Sequence, residues 1–180
     1  NQNNDTASYN TAVGSSAGTA VTTGTFNTLI GGLAGNALTV GGSNTVVGTS
    51  ALSADTQGSR SVAIGLSVLA NQNFTSATNA YNTAVGYSAG NAVTTGTHNT
   101  FIGGLSGDAT TTGGSNIALG AYALSANTTA SNNSALGFSA LEANTTGANN
   151  TAVGWSALKA NTTGANNTGI GMVSLDANTT

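Results

Sequence analysis

The residues best suited to chemistry in this chain are few and widely spaced. One histidine, His98, and five carboxylates, Asp5, Asp55, Asp108, Glu142 and Asp176, are its candidate acids and bases. General acid–base catalysis needs such groups converging on one proton, and paired-carboxylate hydrolysis needs two of them facing each other across a bond. Here successive carboxylates are never closer than 34 residues (142 − 108 and 176 − 142). His98 stands where the matching copy of its segment has Phe26, which reads as a surface or turn residue rather than a base or ligand. There is no cysteine, so neither a disulfide framework nor a thiolate metal site can form. Two glycine-rich GGSN segments, Gly41 to Asn44 and Gly113 to Asn116, lack the aspartate that a calcium-binding β-roll repeat supplies. The expectation is no enzyme, no cofactor and no metal site. The Asn-x-Thr sequons at Asn73, Asn127, Asn144, Asn161 and Asn178 are candidate glycosylation sites on exposed turns. Thr pairs such as Thr128-Thr129, Thr145-Thr146 and Thr162-Thr163 suggest a flat Thr/Asn face for surface glycans, a host receptor or ice. Neighbouring residues on a strand point to opposite faces, so each pair gives half the array of a T-x-T pattern.

Composition narrows the class. Only 4% of the 180 residues are charged, against about 25% in an average soluble protein, and 38% are hydrophobic. Disorder normally accompanies low hydrophobicity and high net charge, and this chain has a net charge of -3. Two cations, Arg60 and Lys159, give no positive field, so nucleic-acid binding is not expected. No run reaches the ~18 apolar residues of a spanning helix, so membrane insertion is not expected either. The chain opens at Asn1 without a basic, apolar leader, which fits a processed or excised segment.

A fixed period positions everything else. The Asn of NTAVG recurs at Asn10, Asn27, Asn44, Asn82, Asn99, Asn116, Asn133, Asn150 and Asn167, with Ser61 in the one gap. The spacing is 17 residues, except for 21 (82 − 61) where four extra residues fall within 73–80. The chain therefore divides into ten units within one domain, and each unit is numbered below from its Asn as position 1. Position 4 is always a branched aliphatic: Val13, Ile30, Val47, Ile64, Val85, Ile102, Leu119, Leu136, Val153 and Ile170. Position 5 is always Gly.

Equivalent residues repeated this strictly must stack, which predicts an all-β parallel β-solenoid of ten coils with short strands, a rod of roughly 48 Å at ~4.8 Å per coil. Helical repeats run longer, and Gly, Asn and Thr are poor helix formers. The position-4 residues are the expected core ladder. The Gly at position 15 (Gly24, Gly41, Gly58, Gly96, Gly113, Gly147, Gly164) is expected to supply a positive φ before the next Asn. Position 9 is Gly where position 12 is Val21, Leu38 or Val93, and Leu where position 12 is polar, as though one apolar side chain per coil filled a limited volume from either place. The sixth unit, pairing Gly107 with Thr110, breaks that rule and is expected to pack loosely. Glu142, Lys159 and Asp176 share position 10 and should form an alternating charged ladder in solvent. The position-1 amides should form a ladder of their own. At position 6, Phe138, Trp155 and Met172 share the face of position 4, where they either fill a wider core or form an exposed stripe that contacts other chains.

Two motifs carry a family likeness. Ser61-Val62-Ala63-Ile64-Gly65 resembles the SVAIG strand repeated in the heads of trimeric autotransporter adhesins, which implies a parallel β-roll assembled in trimers. The unit Asn150-Thr151-Ala152-Val153-Gly154-Trp155-Ser156-Ala157-Leu158, followed by Ala160-Asn161-Thr162-Thr163-Gly164, resembles repeats of phage tail fibres and other surface fibres. The likeness implies a rigid shaft or head of an extracellular or virion-surface fibre, structural and adhesive, that self-associates as an end-to-end filament or a homotrimer.

Overall fold

Each unit places Thr, Val, Ile or Ser at position 2 and a branched aliphatic at position 4, a short pleated segment suited to pairing with its own copies. The computed structural model describes residues 8–180, and in it these segments are the strands β1 Thr11–Val13, β2 Thr28–Ile30, β3 Thr45–Val47, β5 Val62–Ile64, β7 Thr83–Val85, β8 Thr100–Ile102, β9 Ile117–Leu119, β10 Ser134–Leu136, β11 Thr151–Val153 and β12 Thr168–Ile170. They form one ten-stranded parallel sheet in chain order. Val13 pairs with Ile30 and Ile30 with Val47, so residues one unit apart do lie in columns. The remaining strands, β4 Gly58–Ser59 and β6 Thr78–Asn79, pair across the insertion. The architecture is a parallel β-solenoid of about nine turns between its ten strands, slightly fewer than the ten coils expected.

The columns are aligned as expected, but the core lies on the other side of the strand. Position 3 points inward: Leu29, Val46, Ala63, Ala84, Phe101, Ala118, Ala135 and Ala152 are buried. By strand alternation position 4 then points out. Val13, Ile30, Ile64, Leu119 and Ile170 are exposed, and Val47, Val85, Ile102, Leu136 and Val153 are half-buried, so the expected core ladder is an outer ladder. The interior is filled by position 3 together with Ala at position 8 and the residues of positions 9 and 12. The alternation of Gly and Leu at position 9 answers the size of position 3. A Cβ on Gly35 would come within 2.8 Å of Leu29, and one on Gly107 within 2.5 Å of Phe101. Phe101 thus occupies the space that Leu fills in other coils, and the sixth unit is well packed rather than loose.

Two glycine columns have different causes. At position 5, φ lies between 120° and 142°, a region closed to L side chains, and a Cβ on Gly14 would meet the Gly31 backbone at 2.6 Å. At position 15 no glycine has positive φ; there a Cβ would collide with the carbonyl of the next coil, as Gly24 would with Gly41. The left-handed conformations before each Asn fall instead on position 17, from Tyr9 to Asn166.

That carbonyl is part of an amide ladder. Oδ1 of each position-1 Asn accepts the backbone N–H of position 1 in the next coil, from Asn27 on Asn10 (2.8 Å) to Asn167 on Asn150 (2.9 Å). Its Nδ2 donates to the position-15 carbonyl of its own coil, as Asn133 does to Gly147 (2.9 Å). Ser61 cannot do this, and beside it the structure changes. Buried Gln72 donates to Asp55 (2.7 Å) and Ser61 (3.1 Å) and accepts from Asn82 (2.8 Å). Asp55, also buried, accepts from the backbone N–H of Gly58 (2.9 Å) and Phe74 (3.3 Å), and buried Phe74 anchors the inserted segment.

Truncating one aliphatic from each side of the strand tests this assignment. Leu124→Ala, at a fully buried site, should cost about 2–5 kcal/mol of unfolding free energy in urea. Leu119→Ala, five residues earlier on the outer face, should cost under about 1 kcal/mol. Equal losses would restore position 4 to the core.

Candidate functional site

Sites in a solenoid lie on its outer columns, and four are distinctive here. The first is the outer face of the ten-stranded sheet, with Thr, Val, Ile or Ser at position 2 beside the aliphatic column at position 4. It carries no charge along its whole length: Arg60 lies at position 17, Asp55 inside, and Asp108, Glu142, Lys159 and Asp176 at position 10. Exposed aliphatics normally occur singly, whereas here exposed and half-buried ones together make a file along the sheet.

The second is a corner stripe at position 6. Tyr87, Phe138, Trp155 and Met172 are exposed, so the reading in which Phe138, Trp155 and Met172 widen the core is replaced by the exposed-stripe reading. The core leaves them no room, because Ala and Leu of positions 3, 8 and 9 already fill it. Tyr122 meets Phe138 edge to face, with centroids 5.7 Å apart.

The third is an aromatic column at position 17. Tyr9 stacks on Phe26 at 5.2 Å with rings 6° from parallel. The Arg60 guanidinium sits 5.5 Å over the Tyr81 ring and donates to its hydroxyl, and Tyr81 packs against His98 at 5.2 Å. His98 is exposed, a turn residue resting on an aromatic neighbour.

The fourth is the Thr face. Hydroxyls at position 13 donate along the rod to the next coil, from Thr94 to Thr111 O (3.2 Å), Thr128 to Thr145 O (3.1 Å) and Thr145 to Thr162 O (3.0 Å). They staple coils together, which leaves Thr95, Thr129, Thr146 and Thr163 of position 14 as a single outward file.

The sequons divide sharply. Asn127, Asn144 and Asn161 are fully buried, not on exposed turns, and form a second amide ladder. Asn144 donates to Asn127 (3.2 Å), Asn161 to Asn144 (2.9 Å) and part-buried Asn178 to Asn161 (3.1 Å). A glycan on any of these Nδ2 atoms would remove a donor that each uses inside the rod. Of the five named, Asn73 is the exposed one, at the start of the insertion, where its Oδ1 accepts from Thr56 (3.1 Å).

The charged ladder is shorter than expected. Lys159 pairs with Glu142 at 3.3 Å, and among the described residues Asp176 has no ion-pair partner. Asp5 lies outside the described residues. Asp108 is partly buried, with one carboxylate oxygen lacking a hydrogen-bond partner; burial raises its pKa, offset in part by a backbone N–H. Among the described residues no group of three His, Asp or Glu side chains could hold a metal, and no helix is long and apolar enough to cross a membrane.

Two measurements check these placements. Expressed through a glycosylating secretory route, the folded protein should carry a glycan at Asn73 and none at Asn127, Asn144 or Asn161, read by peptide mass mapping. At Asp108 the folded pKa exceeds the unfolded one, so its contribution to stability is full below the ordinary value of 3.8 and is lost as pH rises through the folded pKa. Asp108→Asn should therefore melt above the parent at pH 7, and the gap should close toward pH 3.

Comparison of the chain with protein-family models, with curated proteins and with solved structures finds no match.

Proposed function

We propose that this chain is a structural and adhesive segment of an extracellular or virion-surface fibre, a rigid shaft that associates side by side with copies of itself through the outer face of its ten-stranded sheet. The observation that carries the reading is the uncharged aliphatic file from Val13 to Ile170, set at coil spacing on one parallel sheet. A repetitive surface complements its own copy at every rung once one rung is in register, so modest apolar contacts add along the rod. The absence of charge removes both the repulsion and the desolvation cost that would oppose such contact.

Composition and topology support the same role. Each coil touches only its neighbours, so the molecule lengthens by repetition without rebuilding its core. Two trypsin-type cleavage sites, Arg60 and Lys159, in 180 residues suit a molecule exposed to proteases. In this reading copies meet as a homotrimer around the sheet faces, and the fibre continues end to end.

Light scattering on the purified chain at tens of micromolar should give the mass of a trimer. The double substitution Ile64→Asp with Leu119→Asp puts two charges on exposed sites of the face and should yield a monomer with an unchanged circular dichroism spectrum. A parent that stays monomeric under these conditions would remove lateral association.

A further inference from the structure

The fold needs nothing large at position 6: Ser15, Gly32, Thr49 and Ala121 serve there in other coils. Yet three consecutive coils carry Phe138, Trp155 and Met172, all exposed. The same three coils hold Glu142, Lys159 and Asp176 at position 10, three of the seven charged residues of the whole chain. Leu66 and Tyr87 at position 6 and Asp108 at position 10 are such residues elsewhere, but in these three coils both features coincide in every coil. On these coils lies an open groove of about 470 Å³, lined by Trp155 and Val173, by Lys159 and Asp176, and by Ala143 and Ala160. None of its lining comes from positions 2 or 4, so it does not depend on the lateral contact proposed above.

We propose that this groove binds a neutral oligosaccharide, the ring of one sugar lying on Trp155. The Trp155 side chain is 53% exposed and presents a flat apolar face, the surface on which the C–H face of a pyranose can lie. The charged part of the lining carries both signs, with Lys159 held toward Glu142 at 3.3 Å and the Asp176 carboxylate without an ion-pair partner among the described residues. A polyanion or polycation would meet one like charge for each opposite one. Sugar hydroxyls are indifferent to sign, because they donate to Asp176 and accept from Lys159. Three rungs at ~4.8 Å match a ligand of two or three rings, and the groove lies within the ~300–1,000 Å³ usual for small-ligand sites.

Trp155 is the only tryptophan in the chain, so its fluorescence reports on this groove alone. Titration with triacetylchitotriose, cellotriose and maltotriose should give a saturable change for at least one, with half-saturation in the ~0.1–1 mM range. By calorimetry with the same sugar, Trp155→Ala and Asp176→Asn should each weaken binding about tenfold or more, as expected for the loss of a stacking face or a charged hydrogen bond. Both variants should keep the parent circular dichroism spectrum, since position 6 is Ala in the coil of Ala121. The proposal is overturned if none of the three sugars gives a saturable change while acrylamide quenches Trp155 freely. It is equally overturned if Trp155 is shielded from acrylamide and becomes accessible on dilution, because a second copy of the chain would then occupy the groove.

Discussion

The asparagine amide at position 1 is the group on which the rest of this rod depends, because it bonds in two directions at once. Its oxygen takes the first N–H of the next coil, and its nitrogen closes its own coil onto the carbonyl at position 15. Both partners are buried, so a coil one residue longer or shorter would strand a donor and an acceptor away from water, at a cost of about 1–3 kcal/mol each. The period of 17 is therefore a hydrogen-bonding constraint before it is a packing one. The single coil of 21 residues supports this view. Where the ladder passes through Ser61, Gln72 and Asp55 supply the missing amide and carboxylate bonds, and a buried aromatic, Phe74, holds the extra loop against the rod. A length change was accommodated only with a second set of buried polar partners.

Inside this frame the core is thin, and its volume is conserved column by column. Ala fills most of positions 3 and 8, and one larger side chain per coil completes the section. Leu at position 9 does so in most coils. Leu29 and Phe101 do so from position 3, and each is flanked by glycines at position 9 of its own and the preceding coil, Gly35 with Gly18 and Gly107 with Gly90. Where position 9 is Leu, position 12 becomes a buried amide or carboxylate, and from Asn127 onward those amides make a second ladder parallel to the first. Burying so many amides is tolerable because each has a partner one coil away, the condition under which polar interiors specify register rather than weaken it.

Much of this was legible in the sequence, and the misreadings have one origin. Strict recurrence at Asn10, Asn27 and Asn44 fixed the coil length and the columns, since residues one period apart in a solenoid must be neighbours. Recurrence says nothing about direction. Val and Ile at position 4 suggested a core by hydrophobicity, whereas Ala at position 3 gave no such signal, and only the pleat orients one against the other. The same ambiguity misplaced the sequons: Asn144-Thr145-Thr146 has the composition of a surface turn, but its Asn is an interior rung. Gly at position 15 looked like a conformational requirement and is a steric one. The compensating pair of positions 9 and 12 was visible in the sequence. Its third member, position 3, was hidden until Phe101 was seen to lie against Gly107.

The distribution of variation across the columns follows from these constraints and separates scaffold from function. Positions 1, 5, 8 and 15 face the interior or the next coil, and they vary little, because any change there disturbs two coils. Positions 6, 10 and 17 face outward and carry most of the aromatic and charged residues, from Tyr81 and Arg60 to Trp155 and Lys159. Substitution at these sites costs the fold little, so a cluster of large or charged residues there is not required for stability. The sheet face is the intermediate case. Position 4 is free of packing demands yet stays aliphatic in every coil, and backbone propensity for a three-residue strand would accept Thr there as readily as Val or Ile. An outward position that never turns polar over ten coils is not explained by packing within the chain, which is the physical ground for the association surface proposed on the sheet and the ligand groove proposed on the flank.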